Sequence, residues 1–96
     1  MRRSKLETNV DVLKALARYG PLKLTHIMYK ANINCSILKQ QLNSLIEQDL
    51  VETTLLGRKT VAYAITEKGR RVLKAFWEIN KALQLTEEKE SLPLLY

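Results

Sequence analysis

The chain has 96 residues, of which 46% are hydrophobic and 27% charged, with a net charge of +6 and a pI near 9.6. These values are typical of one globular domain and exclude a disordered chain. The excess of positive charge favours a polyanionic partner. Residues 1–81 contain 15 Lys/Arg and 7 Asp/Glu, a balance of +8, while residues 82–96 contain 1 and 3. The basic character therefore belongs to the part of the chain before residue 82.

A single cysteine, Cys35, allows no internal disulfide and fits a reducing compartment. Helical spacing puts it on an apolar side, so we expect a small buried side chain and not a reactive thiol. The sequence has no apolar run near the about 18 residues that span a bilayer, and it does not open with a signal-peptide pattern. We therefore expect a cytoplasmic protein without membrane contact.

The first helix is predicted over about residues 5–19. Ser4 followed by Glu7 is a capping-box pattern, and Gly20-Pro21 provides a stop signal. The apolar residues between them recur at helical spacing: Leu6, Val10, Leu13, Leu16 and Ala17. Residues 21–23 are too short for more than a connector or an edge strand with a single bridge.

A helix-turn-helix is predicted next. A two-turn second helix is indicated by apolar residues at i, i+3, i+4 and i+7: Leu24, Ile27, Met28 and Ala31. Asn32 suits the positive-φ position of a tight turn, and Asn34 is a good N-cap for a third helix. The interhelix segment of about residues 31–34 has the length that a helix-turn-helix requires.

The third helix, within residues 34–48, is the most informative segment. At 100° per residue one side carries Cys35, Leu38, Leu42, Leu45 and Ile46, and the other carries Ser36, Lys39, Gln40, Asn43 and Glu47. Gln and Asn can bond two edge atoms of adenine, and Lys reaches guanine acceptors or phosphate. We expect Ser36, Lys39, Gln40 and Asn43 to contact DNA in the major groove, with Glu47 above it. An ordinary solvent-exposed helix face is the alternative.

A β-hairpin is predicted after this helix, with strands over Val51–Leu56 and Thr60–Ile65. Arg58 and Lys59 at its tip are expected to contact the backbone or an adjacent minor groove, unless they are only solubilising turn residues. Other candidates for phosphate contacts lie on the second helix and in a basic arm before the first: Thr25, His26, Tyr29 and Lys30, and Arg2, Arg3 and Lys5.

The last helix is predicted from Glu67 to about Glu90, capped by Thr66, and cannot continue past Pro93. Its apolar residues follow the +4, +3, +4 spacing of a coiled-coil seam: Val72, Phe76, Ile79 and Leu83, extended backward by Ile65 and Gly69.

Packing on the first helix would use part of this stripe, but the helix is longer than a core of this size can cover. A monomer would then expose two large aromatics, Phe76 and Trp77. We therefore expect a homodimer through the C-terminal helix. The predicted units are residues 1–66 for the DNA-binding domain, 67–91 for the dimerisation helix and 92–96 for a tail.

Metal or catalytic sites are not indicated. His26 is the only histidine, and the sequence has no Cys/His/Asp/Glu cluster with metal-ligand spacing. It also lacks a glycine-rich phosphate loop, a Ser/His/Asp set and paired carboxylates in an apolar setting. We expect no metal, no cofactor and no enzymatic activity.

The chain resembles the small archaeal chromatin-associated winged-helix proteins of the 10a type. The matching stretches are Ser-Lys-Leu-Glu at residues 4–7, Ile-Met-Tyr-x-Ala-Asn at 27–32 and Thr-x-Lys-Gly at 66–69. The resemblance implies a homodimer joined by an antiparallel coiled coil of the last helices, with a DNA-binding winged helix at each end. It also implies weak sequence preference and an architectural or regulatory role. The acidic stretch at residues 87–90 and Pro93 depart from the pattern and imply a shorter coiled coil.

The predicted fold is mainly α with a small β-hairpin: a winged helix-turn-helix plus a long C-terminal dimerisation helix. The predicted function is binding of double-stranded DNA as a transcription regulator or a nucleoid-associated chromatin protein. The alternative is a winged-helix protein–protein interaction module that does not bind DNA. The +8 balance over residues 1–81 argues against that alternative, since such a module needs no excess of cations.

Overall fold

The computed structural model describes the backbone of residues 4–88 and the side chains of residues 4–83. The order of elements is the predicted one: α1 (Lys5–Tyr19), α2 (Leu24–Ala31), α3 (Cys35–Glu47), β1 (Val51–Leu56), β2 (Thr60–Ile65) and α4 (Glu67–Glu88). The predicted contacts of Arg2 and Arg3, and the tail at residues 92–96, lie outside the described residues.

Helix α1 begins at a complete capping box. Ser4 Oγ accepts a hydrogen bond from the Glu7 backbone N–H at 3.0 Å, and the Ser4 N–H donates to Glu7 Oε1 at 2.8 Å. These bonds satisfy two of the donors that a helix start leaves without partners. Lys5 is the first residue of α1, so its predicted place in an arm before the helix is wrong.

The turn between α2 and α3 follows from its two asparagines. Asn32 has φ 55° and ψ 56°, the left-handed conformation that asparagine tolerates better than most residues, and ends α2. Asn34 caps α3, since its Oδ1 accepts a hydrogen bond from the Ile37 N–H at 3.0 Å. The predicted helix-turn-helix is confirmed in its bounds and in both turn residues.

The hairpin pairs β1 with β2 in antiparallel register, from Val51 opposite Ile65 to Leu56 opposite Thr60. Of the two arrangements expected for residues 21–23, the edge strand with a single bridge is present. Leu22 donates to the Tyr63 carbonyl at 3.0 Å, and Tyr63 donates back to the Leu22 carbonyl at 2.8 Å. The connector after α1 therefore lies on the free edge of β2, which ties the hairpin to the helices.

The core lies between the three N-terminal helices and the base of the hairpin. Its largest fully buried side chains are Leu13, Leu16, Ile27, Leu38, Leu42, Leu45, Val12 and Val51. Ile33 and Leu38, the predicted hydrophobic staple of α3, both belong to this cluster. Packing of α3 against it fixes which side of that helix remains in water.

Helix α4 begins at a close contact with the chain that leaves α3. Thr66 Oγ1 accepts from the Gly69 N–H at 2.9 Å and donates to the Asp49 carbonyl at 2.7 Å. A Cβ at Gly69 would collide with the Leu50 carbonyl oxygen and lie 2.7 Å from Ile65 Cγ1. Ile65 and Gly69 are thus buried in the domain, and the predicted backward extension of the seam to them is wrong.

The 22 residues of α4 extend about 33 Å at 1.5 Å per residue. The molecule measures 52 × 28 × 21 Å, and α4 packs on α1 and β2. Within the part of the chain that the structure describes, no helix is long and apolar enough to cross a membrane.

Candidate nucleic-acid interface

The outward face of α3 carries the four side chains that the sequence assigned to DNA. All four are exposed, and the buried residues of the helix lie on the other side: Leu38, Gln41, Leu42 and Leu45. Glu47 is also exposed and belongs to the same outward face. The structure therefore presents Ser36, Lys39, Gln40 and Asn43 together on one side of the second helix of the helix-turn-helix.

The burial of three residues of α3 differs from the prediction or was not predicted. Gln41 is 6% exposed, and among the described residues its Oε1 has no hydrogen-bond partner. Gln41 lies three residues after Leu38 and four before Leu45, and this helical spacing could have predicted that it faces the core. Cys35 is only partly buried, so its predicted burial is incomplete. Ile37, which the prediction assigned to neither face, is 44% exposed on the flank.

The hairpin presents both predicted cations. Gly57 adopts φ 79° in the turn, and Arg58 and Lys59 beside it are exposed. The aliphatic side chains next to the tip were not predicted to be exposed: Leu55 at 61%, Leu56 at 43% and Val61 at 47%. Leu55 and Val61 are cross-strand partners, so they form one apolar pair directly below the basic tip.

The candidates on α2 have different surroundings. Thr25, His26 and Tyr29 are exposed, Tyr29 to 85%. Lys30 instead lies against α1, with its Nζ 4.2 Å from the centroid of the Tyr19 ring, and Arg18 contacts the same ring at 5.6 Å. Such cation–π contacts hold a lysine with an energy on the order of 1 kcal/mol. The prediction treated Lys30 as an unattached cation and missed this contact, because Tyr19 is on another helix.

The predicted dimer residues are exposed except for one. Val72 is 40%, Ile79 62% and Leu83 54% exposed, while Phe76 is partly buried. Of the two aromatics expected to face solvent, only Trp77 does so, at 54%. Phe76 lies on the side of α4 shared with Gly69 and Leu73, which face the domain, and this explains its partial burial.

The described residues contain no group of His, Cys, Asp and Glu side chains able to hold a metal ion. The candidate residues on the outward face of α3 and at the hairpin tip, Glu47 apart, carry amides, a hydroxyl and cations. These side chains recognise polyanions and base edges by hydrogen bonding and charge.

Comparisons with solved structures place the architecture among known winged-helix proteins. RV1404 from Mycobacterium tuberculosis superposes with a TM-score of 0.73 at 19% identity, over 92% of this chain and 65% of that one. A MarR family transcriptional regulator from Silicibacter pomeroyi gives 0.75 at 15% identity, over 90% and 58%. ZitR from Lactococcus lactis gives 0.70 at 23% identity, over 92% and 64%. These likenesses show the fold, and this chain spans about three fifths of the length of those proteins.

Among curated protein sequences, none matches this chain. The winged helix-turn-helix family, however, matches residues 2–84, which include all four helix starts and both strands. The order of the elements and the hairpin after α3 agree with that match. The chain belongs to the winged helix-turn-helix family.

Proposed function

We propose that the protein is a dimeric winged helix-turn-helix protein that binds duplex DNA, as a transcription regulator or a nucleoid-associated chromatin protein. One observation carries the proposal: the outward face of α3 is polar with a single central cation and is exposed to solvent. A helix face of this composition fits the major groove, where base edges offer donors and acceptors.

In the proposed complex α3 lies in the major groove, with each polar side chain in its own role. Gln40 and Asn43 bond base edges, Ser36 contacts a base or a phosphate, and Lys39 reaches guanine or phosphate. The negative charge of Glu47, at the C-terminal end of the helix, is kept away from the phosphates above the groove.

The hairpin and α2 provide the contacts that carry no sequence information. Arg58 and Lys59 neutralise phosphates beside the groove and release condensed counterions. Thr25, His26 and Tyr29 approach the backbone from α2, with Arg2 and Arg3 as further candidates. Lys30 contributes its charge from its position on Tyr19.

Dimerisation is proposed through the solvent-exposed side of α4. Ile79 and Leu83 are more than half exposed, and Val72 and the partly buried Phe76 continue the same strip. Burying such side chains contributes about 1.5–3 kcal/mol each, which favours association of two copies. Two linked domains then bind two half-sites with higher avidity than one. An antiparallel coiled coil, as in the archaeal 10a-type proteins, is the arrangement that the sequence resemblance favours.

A second function, docking of a protein partner on the polar face of α3, uses the same exposed residues. The distribution of charge favours DNA, since residues 1–81 carry 15 Lys/Arg and 7 Asp/Glu. A protein-binding module would gain nothing from cations on the hairpin tip and on α3 together.

The proposal is tested by reversing one charge on the α3 face and one far from it. Lys39→Glu should weaken binding to a labelled random-sequence duplex by about tenfold or more, because it replaces a contact by repulsion. Lys81→Glu makes the same change in the distal half of α4 and should alter affinity by about twofold at most. Fluorescence anisotropy at one fixed salt concentration measures both.

If the unmodified protein leaves the duplex unbound, or if the two variants weaken binding equally, the assignment of α3 is wrong. The protein-module alternative would then be favoured.

A further inference from the structure

An apolar groove lies between α1 and the first half of α4. Its volume is about 300 Å³, and six side chains line it: Lys14, Ala17, Arg70, Leu73, Lys74 and Trp77. The exposed surface of the groove is almost wholly apolar, so its three cationic residues contribute mainly the hydrocarbon parts of their side chains. Trp77 is 54% exposed. The part of the chain that the structure describes therefore leaves this apolar surface in contact with water.

Neither of the surfaces proposed above covers the groove. None of its six lining residues belongs to the predicted DNA-contacting set. At 100° per residue, Trp77 lies about 160° around the axis of α4 from Ile79, which belongs to the proposed dimer seam. Pairing of two copies through the seam would thus leave the groove open to another occupant.

We propose that residues 92–96 of the same chain fold back along α4 and pack on Trp77 in this groove. The segment reads Leu-Pro-Leu-Leu-Tyr, whereas the preceding residues 84–91 include a single apolar residue, Leu85. Leucine and tyrosine side chains gain free energy when they leave water for an apolar surface. The composition of the segment therefore matches the almost wholly apolar surface of the groove.

The end of α4 directs the chain toward the groove. Glu88, the last residue of α4, follows Arg70 by 18 residues, which is about five full turns, so both lie on the same side of the helix. Pro93 cannot continue a helix, and its ring disfavours the helical conformation of the residue before it. The chain that leaves α4 can therefore turn back along the side that carries the groove.

The segment is long enough to reach Trp77. Glu88 follows Trp77 by 11 residues, a distance of about 16 Å along the helix. If residues 89–91 form the turn, residues 92–96 in an extended conformation also span about 16 Å. Residues 94–96 would then lie against Trp77 and its end of the groove.

The charges of the two parts are complementary. Residues 87–90 carry three Glu and one Lys, a balance of −2. The groove side of α4 carries Arg70, Lys74 and Lys81, and Lys81 Nζ lies 5.0 Å from the centroid of the Trp77 ring. A chain that turns back brings Glu90 toward Lys81, whereas a chain that continues straight carries it away. Exposed ion pairs are weak, so the apolar contacts provide most of the driving force.

Trp77 is the only tryptophan in the chain, so its fluorescence reports directly on the groove. In a variant that ends at Glu90, acrylamide should quench this fluorescence about twofold more strongly than in the unmodified protein, because the apolar cover of the ring is removed. The emission maximum should also move to longer wavelength. Circular dichroism checks that the variant is folded.

A matched pair of variants separates apolar packing from charge. Leu94→Asp with Leu95→Asp should increase quenching as much as the truncation does, since unpaired carboxylates are unfavourable in an apolar groove. Gln84→Glu with Ser91→Asp adds the same two charges before the segment and should leave quenching as it is in the unmodified protein.

The copy that supplies the segment is identified in a seam variant, Ile79→Glu with Leu83→Glu. Truncation at Glu90 should increase quenching in this variant by the same factor, because the segment and the groove belong to one chain. If truncation changes quenching only in the protein with the unmodified seam, the segment of a second copy occupies the groove and the proposal is wrong.

The proposal is also overturned if truncation leaves the quenching of the folded protein unchanged, or if the charge control increases quenching as much as the leucine variant does. These outcomes are distinguishable from a failure of the proposed function. No DNA is present in the experiment, and the seam variant does not require the proposed pairing.

Discussion

At Gly69, α4 lies close against the chain between α3 and β1. The Gly69 amide is bonded to Thr66 Oγ1, and the space that a side chain would occupy is filled by the Leu50 carbonyl oxygen and by Ile65. Glycine inside a helix normally costs about 1 kcal/mol relative to alanine. At this position the absence of a Cβ is what allows α4 to pack on the domain.

Gly69→Ala should therefore lower the free energy of unfolding by about 1–3 kcal/mol, because overpacking outweighs the gain in helix propensity. Lys68→Ala, at the exposed neighbouring position, should change it by less than about 0.5 kcal/mol. Urea denaturation of both variants measures the difference. If Gly69→Ala instead raises the free energy of unfolding, the backbone around Leu50 can move to admit the new Cβ, and the close packing at this position is not required.

Substitutions in the DNA-contacting set should differ in kind. Lys59→Ala would remove a proposed phosphate contact, so it should weaken every duplex about equally and flatten the salt slope by about one. Gln40→Ala and Asn43→Ala would remove proposed base contacts and should cost about 1–3 kcal/mol on preferred sequences only. Anisotropy titrations on random and selected duplexes compare them. If both α3 variants bind every duplex as the unmodified protein does, α3 is not the element that reads the bases.

At the scale of elements, α3 is held at its start by one side chain. Asn34 Oδ1 accepts the Ile37 N–H, and the inward Leu38, Leu42 and Leu45 fix the rotation of the helix. Asn34→Ala should thus lower the stability of the protein by about 1 kcal/mol. Asn43→Ala, on the exposed face of the same helix, should not. Thermal unfolding followed by circular dichroism measures both, and equal losses would contradict the capping role.

The elements themselves were predictable because their ends depend on local chemistry. The capping bonds of Ser4 with Glu7, of Asn34 with Ile37 and of Thr66 with Gly69 each join residues three apart, so the sequence pattern determines where the helices begin. The exposed face of α3 was predictable for a related reason, since helical periodicity alone separates it from the core.

The features that could not be predicted depend on neighbours distant in the sequence. Lys30 rests on Tyr19 of another helix, and Gly69 is buried by Leu50. The burial of Gln41 could have been predicted, because its spacing from Leu38 indicates the inward side of α3. Only the polarity of its side chain favoured an exposed position.

At the scale of the whole molecule, the proposed dimer depends on the strip along α4. Ile79→Glu combined with Leu83→Glu would place four like charges in the seam of a pair and should give a folded monomer with much weaker DNA binding. Lys81→Glu adds negative charge on another flank of the same helix and should stay dimeric. Sedimentation at low micromolar concentration is the measurement, and an 11.1 kDa monomer for the unmodified protein would contradict the proposal.

The positive charge of the whole molecule supports duplex DNA as its partner. The cations at the hairpin tip and on α2 and α3, together with Arg2 and Arg3, would neutralise roughly 4–6 phosphates per subunit, each contributing about 0.9 to the salt slope. The direct measurement is the association constant for a duplex over a series of salt concentrations. If the partner is duplex DNA, log K should fall linearly with log salt, with a slope of about −4 to −5 per subunit. An affinity that stays constant between low and moderate salt would contradict it.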